Sequence, residues 1–530
     1  MGFWTKSRLL FNSFRDNAKA SIRQVARQTG LSKSSVHRLG QAMVRRNQHP
    51  ESWLWETEDG QRWLIRLVVA VLYTFGLKRG VGAETMSAFF ACLHLEQYVG
   101  CAPSTLRAMM EHLEALILET TEAWEREGIA QGQIGPLVGT VDETFLQRMM
   151  LVFMDLVSGY VLLEEVADDR TYETWYDRVK ERLEPLKTRV LYLVSDRAKA
   201  LIKLAETGLE CPSIPDVFHL LHDLVKGYAL AISTRLKTAR QALSHVHAHL
   251  DKCQAEGASE VEIELAQVAV ATGEADVAHW EQVRDTYRGH LEAISLQVHP
   301  WRVTDSTPQS SQEVEAQLAA EVTALQELLE THELPVKTAV LTKVRKQLAG
   351  LAEVLDVWWQ AVRQDVHSQI VLTPMWANWV EAHLLPLMYW QYQVSRARGR
   401  RRKAQLVQVL EAVQAAFEAH PLTAQLTPEV LAGWKAWAAE HAKTFQRASS
   451  AVEGRNGYLS QMHHNHRGLP KRRYRVWSVL HNFDCRASDG STPAARFFRR
   501  DFPNLFEAVL SQIDALPRPR KRQSAIELSD

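Results

Sequence analysis

Residues 134–166 read IGPLVGTVDETFLQRMMLVFMDLVSGYVLLEEV. Within this stretch Leu137 to Asp142, Met149 to Asp155 and Tyr160 to Val166 are short runs rich in Val, Leu, Phe, Met and Tyr, and turn residues such as Ser158-Gly159 separate them. Runs this short and this close together predict an antiparallel meander of three strands. Downstream, Thr171 to Leu186 has helical spacing with Trp175 and Val179 on one side. Arg189 to Ser195 is an apolar strand, Ala198 to Leu209 a helix, and Ile214 to Phe218 a further short strand. The predicted order β-β-β-α-β-α-β is that of an α/β core spanning 134–220.

Both flanks of this core are helical. Beyond it, 221–445 holds no strand-like run. Leu341, Val344, Leu348, Leu351 and Leu355 form a helical stripe, and similar stripes run through Glu262 to Ala293 and Glu313 to Leu329. The segment Val298 to Ser311, rich in Ser, Thr and Pro, breaks two long helices, so 221–445 is expected to be an all-helical insertion. In front, Ser21 to Arg46 reads SIRQVARQTGLSKSSVHRLGQAMVRR. Ile22, Val25 and Ala26 have helical spacing, Gly30 suits a tight turn and Ser32 can cap a second helix whose Val36 and Leu39 face a core. This is a helix-turn-helix pattern within 1–50, and it offers Lys33, Ser34, Ser35, His37 and Arg38 to a major groove. A helical connector follows over 51–133. In it Gly100, Ser104, Thr105 and Leu106 repeat part of that spacing, which leaves a second helix-turn-helix open beside a plain connector.

Charge supports this division. The whole chain is neutral, with 62 Lys and Arg against 62 Asp and Glu, yet the charge is segregated. Residues 1–50 carry ten Lys or Arg and one acid, Asp16, for 10 − 1 = +9; residues 251–330 carry four bases and 16 acids, for 4 − 16 = −12. The basic front is suited to phosphate and the acidic insertion to solvent. Within the insertion Arg396 to Lys403, RARGRRRK, holds a dense basic run. Arg400, Arg401 and Arg402 are candidate phosphate contacts there, with a solvated helix face as the alternative. The five cysteines lack ligand spacing, which argues against a disulfide framework or a zinc site and fits a reducing cytoplasm. The most apolar stretch, Trp63 to Leu77, is too short and too charged to span a bilayer.

A second informative stretch is Arg447 to Arg486, RASSAVEGRNGYLSQMHHNHRGLPKRRYRVWSVLHNFDCR. It sets one carboxylate, Glu453, near a helix start and follows it with Arg, Lys and His, as expected of a group that holds a divalent cation beside a polyanion. Asp142 and Asp196, each ending an apolar run, could complete such a site. In these three places the sequence resembles the DDE transposases of bacterial insertion sequences, members of the RNase H-like transposase and integrase superfamily. The resemblance covers roughly Ile134 to His222 and Arg447 to Arg486. It implies an RNase H-like core interrupted by the helical insertion and completed by a final helix in 446–490. It also implies that the strands ending in Asp142 and Asp196 lie side by side, and that Asp142, Asp196 and Glu453 hold two Mg²⁺, with Mn²⁺ as a possible substitute.

Such a pair of ions can activate water or a 3′-hydroxyl and stabilise the departing oxygen of a phosphodiester, and Mg²⁺ favours hard oxygen ligands. Asp142 could instead cap the following turn with Glu143 as the ligand, Asp196 could be an N-cap, and Glu453 could be an ordinary first-turn acid favoured by the helix dipole. Arg455, Asn456, Arg467, Lys471, Arg472 and Arg473 would steady the DNA strand. His463, His464 and His466 are read as phosphate or solvent contacts. His219 borders the site or fills the core. Trp301, on the breaker loop, is a candidate for stacking on an extruded base, and 491–530 is read as a basic tail that contains a short helix, Pro503 to Leu516, and ends in PRPRKRQ as a flexible arm. The expected function is a cytoplasmic, nucleoid-associated DNA transposase acting on double-stranded element ends and target, as a homodimer or larger synaptic assembly without membrane contact. A transposase-derived DNA-binding protein without catalysis is the alternative, and a nuclease without strand transfer a third.

Overall fold

The computed structural model describes residues 3–146, 148–369, 373–465 and 471–519. The chain divides into two compact units. One comprises Met1–Ile134, Glu164–Val166 and Asn456–Asp530; the other comprises Gly135–Leu163 and Ala167–Arg455.

The first unit opens with three helices, α1 (Phe3–Asp16), α2 (Ile22–Thr29) and α3 (Lys33–Arg46). Ser21 caps α2 in a reciprocal capping box with Gln24, and Gly30 ends it at φ 70°, in the left-handed region that glycine tolerates best. Ser32 then caps α3 by accepting from the Ser35 N–H. Leu10, Val25, Val36, Leu39 and Met43 form a separate small core. The sequence-predicted helical pair is present, and α1 supplies the third wall that closes its core. One of its ten basic residues is diverted inward: Arg46, with its side chain 6% exposed, donates to Glu56 at 2.5 Å.

Helices α4 (Glu58–Val71), α5 (Ala83–Cys92) and α6 (Pro103–Gln131) follow. Residues 93–102, which include a short 3-10 turn, separate α5 from α6. A helix-turn-helix joins its helices through only three or four residues. The second copy of that pattern is therefore absent, and Gln97 to Met109 is a connector leading into a long helix.

Strands β1 (Leu137–Leu146), β2 (Arg148–Asp155), β3 (Val161–Ala167), β4 (Val190–Ser195) and β5 (Ser213–Pro215) follow, in the sheet order β3-β2-β1-β4-β5, all in the second unit except Glu164–Val166 of β3. The β1–β2 pairing is antiparallel, while β1–β4 and β4–β5 are parallel. Helix α7 (Tyr172–Leu183) crosses from β3 to β4 with Trp175 and Val179 buried, and α8 (Lys199–Lys203) precedes β5. The predicted last strand is shorter than expected, because Asp216 caps a helix that already contains Phe218.

That helix, α9 (Val217–Ala255), begins a large all-helical region with α10 (Glu260–Gln297), α11 (Ser311–Thr331) and α12 (Thr338–Gln369). It continues through α13 (Pro374–Trp379), α14 (Leu385–Arg396), α15 (Arg400–Ala419), α16 (Pro421–Ala424) and α17 (Pro428–Thr444). The breaker between α10 and α11 is where the sequence put it. Trp301 on that loop is fully buried, edge-on to Trp358 and Trp359. It is a core residue rather than an accessible stacking platform.

The chain ends with α18 (Ser450–Asn465), α19 (Lys471–Asp484), α20 (Pro493–Phe498) and α21 (Leu505–Leu510). The C-terminal segment is ordered further than a flexible arm would be: the Gly100 N–H donates to the Pro517 carbonyl at 2.8 Å. No helix among the described residues is long and apolar enough to cross a membrane.

Candidate functional site

The site is built on the middle of β1 and just past the end of β4. Their parallel register pairs Thr140 with Val194. Asp142 and Asp196 both stand two residues further along, at the same level of adjacent strands. The Asp142 carboxylate accepts the Glu143 N–H at 2.9 Å, and the Asp196 carboxylate accepts the Ala198 N–H at 2.9 Å. Asp196 thus turns the chain out of β4, helped by Arg197 at φ 62°.

Glu453 arrives from far along the chain through a series of tethers. Tyr192 on β4 donates its hydroxyl to the Thr444 carbonyl at 2.6 Å and accepts the Gln446 N–H at 2.7 Å. The Val217 N–H donates to the Arg447 carbonyl at 3.0 Å. The Ser449 N–H donates to the Asp216 carboxylate at 3.1 Å, and the Ser449 hydroxyl donates to the same carboxylate. Val452 then packs with Val152, Met154 and Val161 of the sheet. These contacts hold the first turn of α18, and with it Glu453, in place. Asp216 and Ser449 were not among the predicted site residues. Asp216 lay hidden inside what reads as a strand, and only its position before the apolar start of α9 signals an N-cap.

His219 joins the two parts. Its Nδ1 lies 2.6 Å from Asp216 Oδ2, and its Nε2 lies 3.3 Å from Glu453 Oε1. The Asp216 hydrogen bond, reinforced by the charges of Asp216, Asp142 and Glu453, pushes the imidazole up to about 9 against the opposing effect of burial. Asp142 is pushed up to about 7, first by burial and then by repulsion from Glu453. Glu143, on the same strand, is also raised, by burial and then by the charge of Asp196, while Trp175 and Arg170 oppose the shift.

Asp142, Asp196 and Glu453 do not bring one oxygen each within 4.8 Å of one another. The donor set suits a hard divalent cation: it is all carboxylate, with His219 beside Glu453 and Arg170 3.7 Å from Glu143 as the nearby cations.

The predicted DNA contacts divide sharply. Lys33, Ser34, His37 and Arg38 are exposed on α3, with Ser35 half-buried behind them. Arg400 and Arg401 are exposed, and Arg401 lies 3.7 Å from Glu292. Arg402 turns inward, donating to Ser295 Oγ at 3.4 Å, and is not available as an open phosphate contact. Arg455 and Asn456 are buried. Arg473 is buried too and pairs with Glu114 of α6, while Arg472 donates to the Glu111 carbonyl at 2.7 Å. Burial removes Arg455, Asn456 and Arg473 from the expected DNA surface. Composition showed the charge of the two arginines but not their burial. Of the histidines, His463 lies 3.4 Å from the Tyr474 hydroxyl and His464 is exposed. Arg467 and His466 lie outside the described residues, as does the side chain of Lys471.

With this geometry in hand, comparison with known proteins adds two matches. Residues 9–47 match the IclR helix-turn-helix domain. The N-terminal unit therefore carries an IclR-type helix-turn-helix. Residues 380–525 match a family of unknown function (DUF6399), a span running from the end of α13 past α21 and containing Glu453. No curated protein matches the chain.

Proposed function

We propose that this protein is a DNA transposase of the DDE type. Its α3 helix reads double-stranded element ends, and its RNase H-like sheet edge cuts and joins strands. The observation that carries the reading is the placement of Asp142 and Asp196 at one level of paired parallel strands, with Glu453 returned to Asp142 by the Ser449–Asp216 tether. The exposed basic face of α3 supports the DNA-reading half. Because two ends must be joined, the working form is a homodimer or larger synaptic assembly, acting on the bacterial nucleoid in the cytoplasm.

Asp142 and Glu453, with Asp196 and Glu143 beside them, would hold Mg²⁺ or Mn²⁺. Bound there, the ions would activate the attacking oxygen and stabilise the leaving one. The chain's own contribution is positional. Asp216 orients His219, His219 holds Glu453, and Val452 fixes the helix turn that carries it.

The test is incubation of the purified protein and its Asp142→Asn variant with DNA from both flanks of its gene and Mg²⁺, mapping new 3′-hydroxyl ends. Discrete metal-dependent nicks are expected, reduced at least about a hundredfold in the variant, equivalent to a loss of ~3 kcal/mol of transition-state stabilisation. Equal activity in the variant would remove Asp142 from the site. A second reading, a transposase-derived DNA-binding repressor or targeting protein without catalysis, is favoured by the spread of the site, where Asp142, Asp196 and Glu453 do not bring one oxygen each within 4.8 Å of one another. Tight DNA binding without nicks in Mg²⁺ or Mn²⁺ would select it.

A further inference from the structure

Immediately after α3, residues 47–51 read NQHPE, and residues 93–94, Leu-His, leave α5. The fold brings the two segments together. His94 adopts a left-handed backbone, φ 53°, and its ring stacks on that of His49 with centroids 3.6 Å apart and planes 5° from parallel. Its Nδ1 lies 3.1 Å from Glu51 Oε1. His49, Glu51 and His94 each place a ligand atom so that all three lie within 4.8 Å of one another, the group among the described residues that does so. The two histidines are exposed and Glu51 is half-buried, so an ion has access from solvent. Nearby, the Tyr98 hydroxyl donates to Asn47 Oδ1 at 2.8 Å and lies 3.1 Å from the Arg46 carbonyl, so this junction is already tied at the exit of α3.

We propose that His49, Glu51 and His94 form a binding site for a zinc-class divalent transition-metal ion that clamps the exit of the DNA-reading helix to the α5–α6 connector. Two imidazoles and a carboxylate form a ligand set typical of zinc with one position left open to water. Imidazole nitrogens select such ions over Mg²⁺ or Ca²⁺, which the carboxylate edge of the other unit suits. The site is independent of the transposase reading and stands or falls without it. An ion lies in the plane of each imidazole that binds it, so loading would splay the stacked rings. The clamp would join two segments 43 residues apart in sequence (94 − 51 = 43) and limit how far the end of α3 can move.

The test uses the full chain carrying Asp142→Asn and Glu453→Gln, so that the carboxylate edge does not contribute, stripped with chelator and titrated with ZnCl₂ by calorimetry. One equivalent of Zn²⁺ is expected to be lost on His94→Ala and again on His49→Ala, with at least tenfold weaker binding on Glu51→Gln and no competition from Mg²⁺. His94→Gln, at an exposed position, serves if the alanine variant misfolds. Zinc is also expected to slow amide exchange over 43–56 and 93–98 in the parent and not in the His94 variants. Unchanged zinc stoichiometry and affinity in both histidine variants would overturn the site. Unchanged exchange on zinc addition to the parent would overturn the clamp.

Discussion

In α3, Lys33, His37 and Arg38 stand in solvent above a core made by Val36, Leu39 and Met43, whereas in 455–473 Arg455 and Arg473 are buried and Arg473 is held by Glu114. Both segments are rich in Arg and Lys, and both would be drawn as phosphate-binding surfaces from composition. The difference lies in what each segment meets. The α3 helix belongs to a three-helix unit too small to surround it, so its polar face stays free. The Arg473 helix packs on α6, where the buried acid Glu114 needs a counter-charge. A basic residue is therefore a DNA-contact candidate only after the acids in its neighbourhood have been counted.

That contrast can be broken by substitution. Arg473→Ala would leave Glu114, with its side chain 2% exposed, without its principal partner. A loss of about 3–5 kcal/mol is expected in denaturant unfolding, with little change in the salt dependence of DNA binding by the protein that remains folded. A stability change under about 1 kcal/mol would mean that the pair is not structural.

The carboxylate edge sharpens the comparison with the opposite charge. Asp142, pushed up to about 7 by burial and Glu453, binds its proton more tightly when folded than when unfolded. The stability this gives is fully present below the unfolded value near 3.8 and is lost as pH rises through about 7. Metal-free Asp142→Asn is accordingly expected to unfold about 1–2 °C above the parent at pH 8, corresponding to about 1 kcal/mol. The gap should close near pH 4 and on adding Mg²⁺. A variant that melts lower at pH 8 would contradict this electrostatic picture.

The smallest stability effect belongs to α3. Lys33→Ala with Arg38→Ala should change stability by no more than about 0.5 kcal/mol. The slope of log affinity against log salt should fall by about one for each phosphate contact removed. Unchanged DNA affinity and slope would move the interface off this helix.

The strands and long helices were legible because they depend on periodicity within a few residues. The runs at 137–142, 149–155 and 189–195, the stripe at Leu341 to Leu355 and the break at Val298 to Ser311 all appear where the pattern put them. The capped turn at Gly30 and Ser32 was legible for the same reason. Less legible was anything decided by a partner distant in sequence. Asp216 is disguised by the apolar residues around it, and its tie to Ser449 spans the whole helical insertion. The burial of Trp301 depends on Trp358, Trp359 and Tyr389, which lie on other helices.

By itself, then, the sequence determined the helix-turn-helix and the order of strands and helices, because backbone propensity and amphipathic period are local. Only the tertiary structure decided which charges pair. It set His219 between Asp216 and Glu453, placed Arg473 on Glu114 and stacked His94 on His49, because Coulomb interaction and desolvation depend on distance and burial in space and not on separation along the chain.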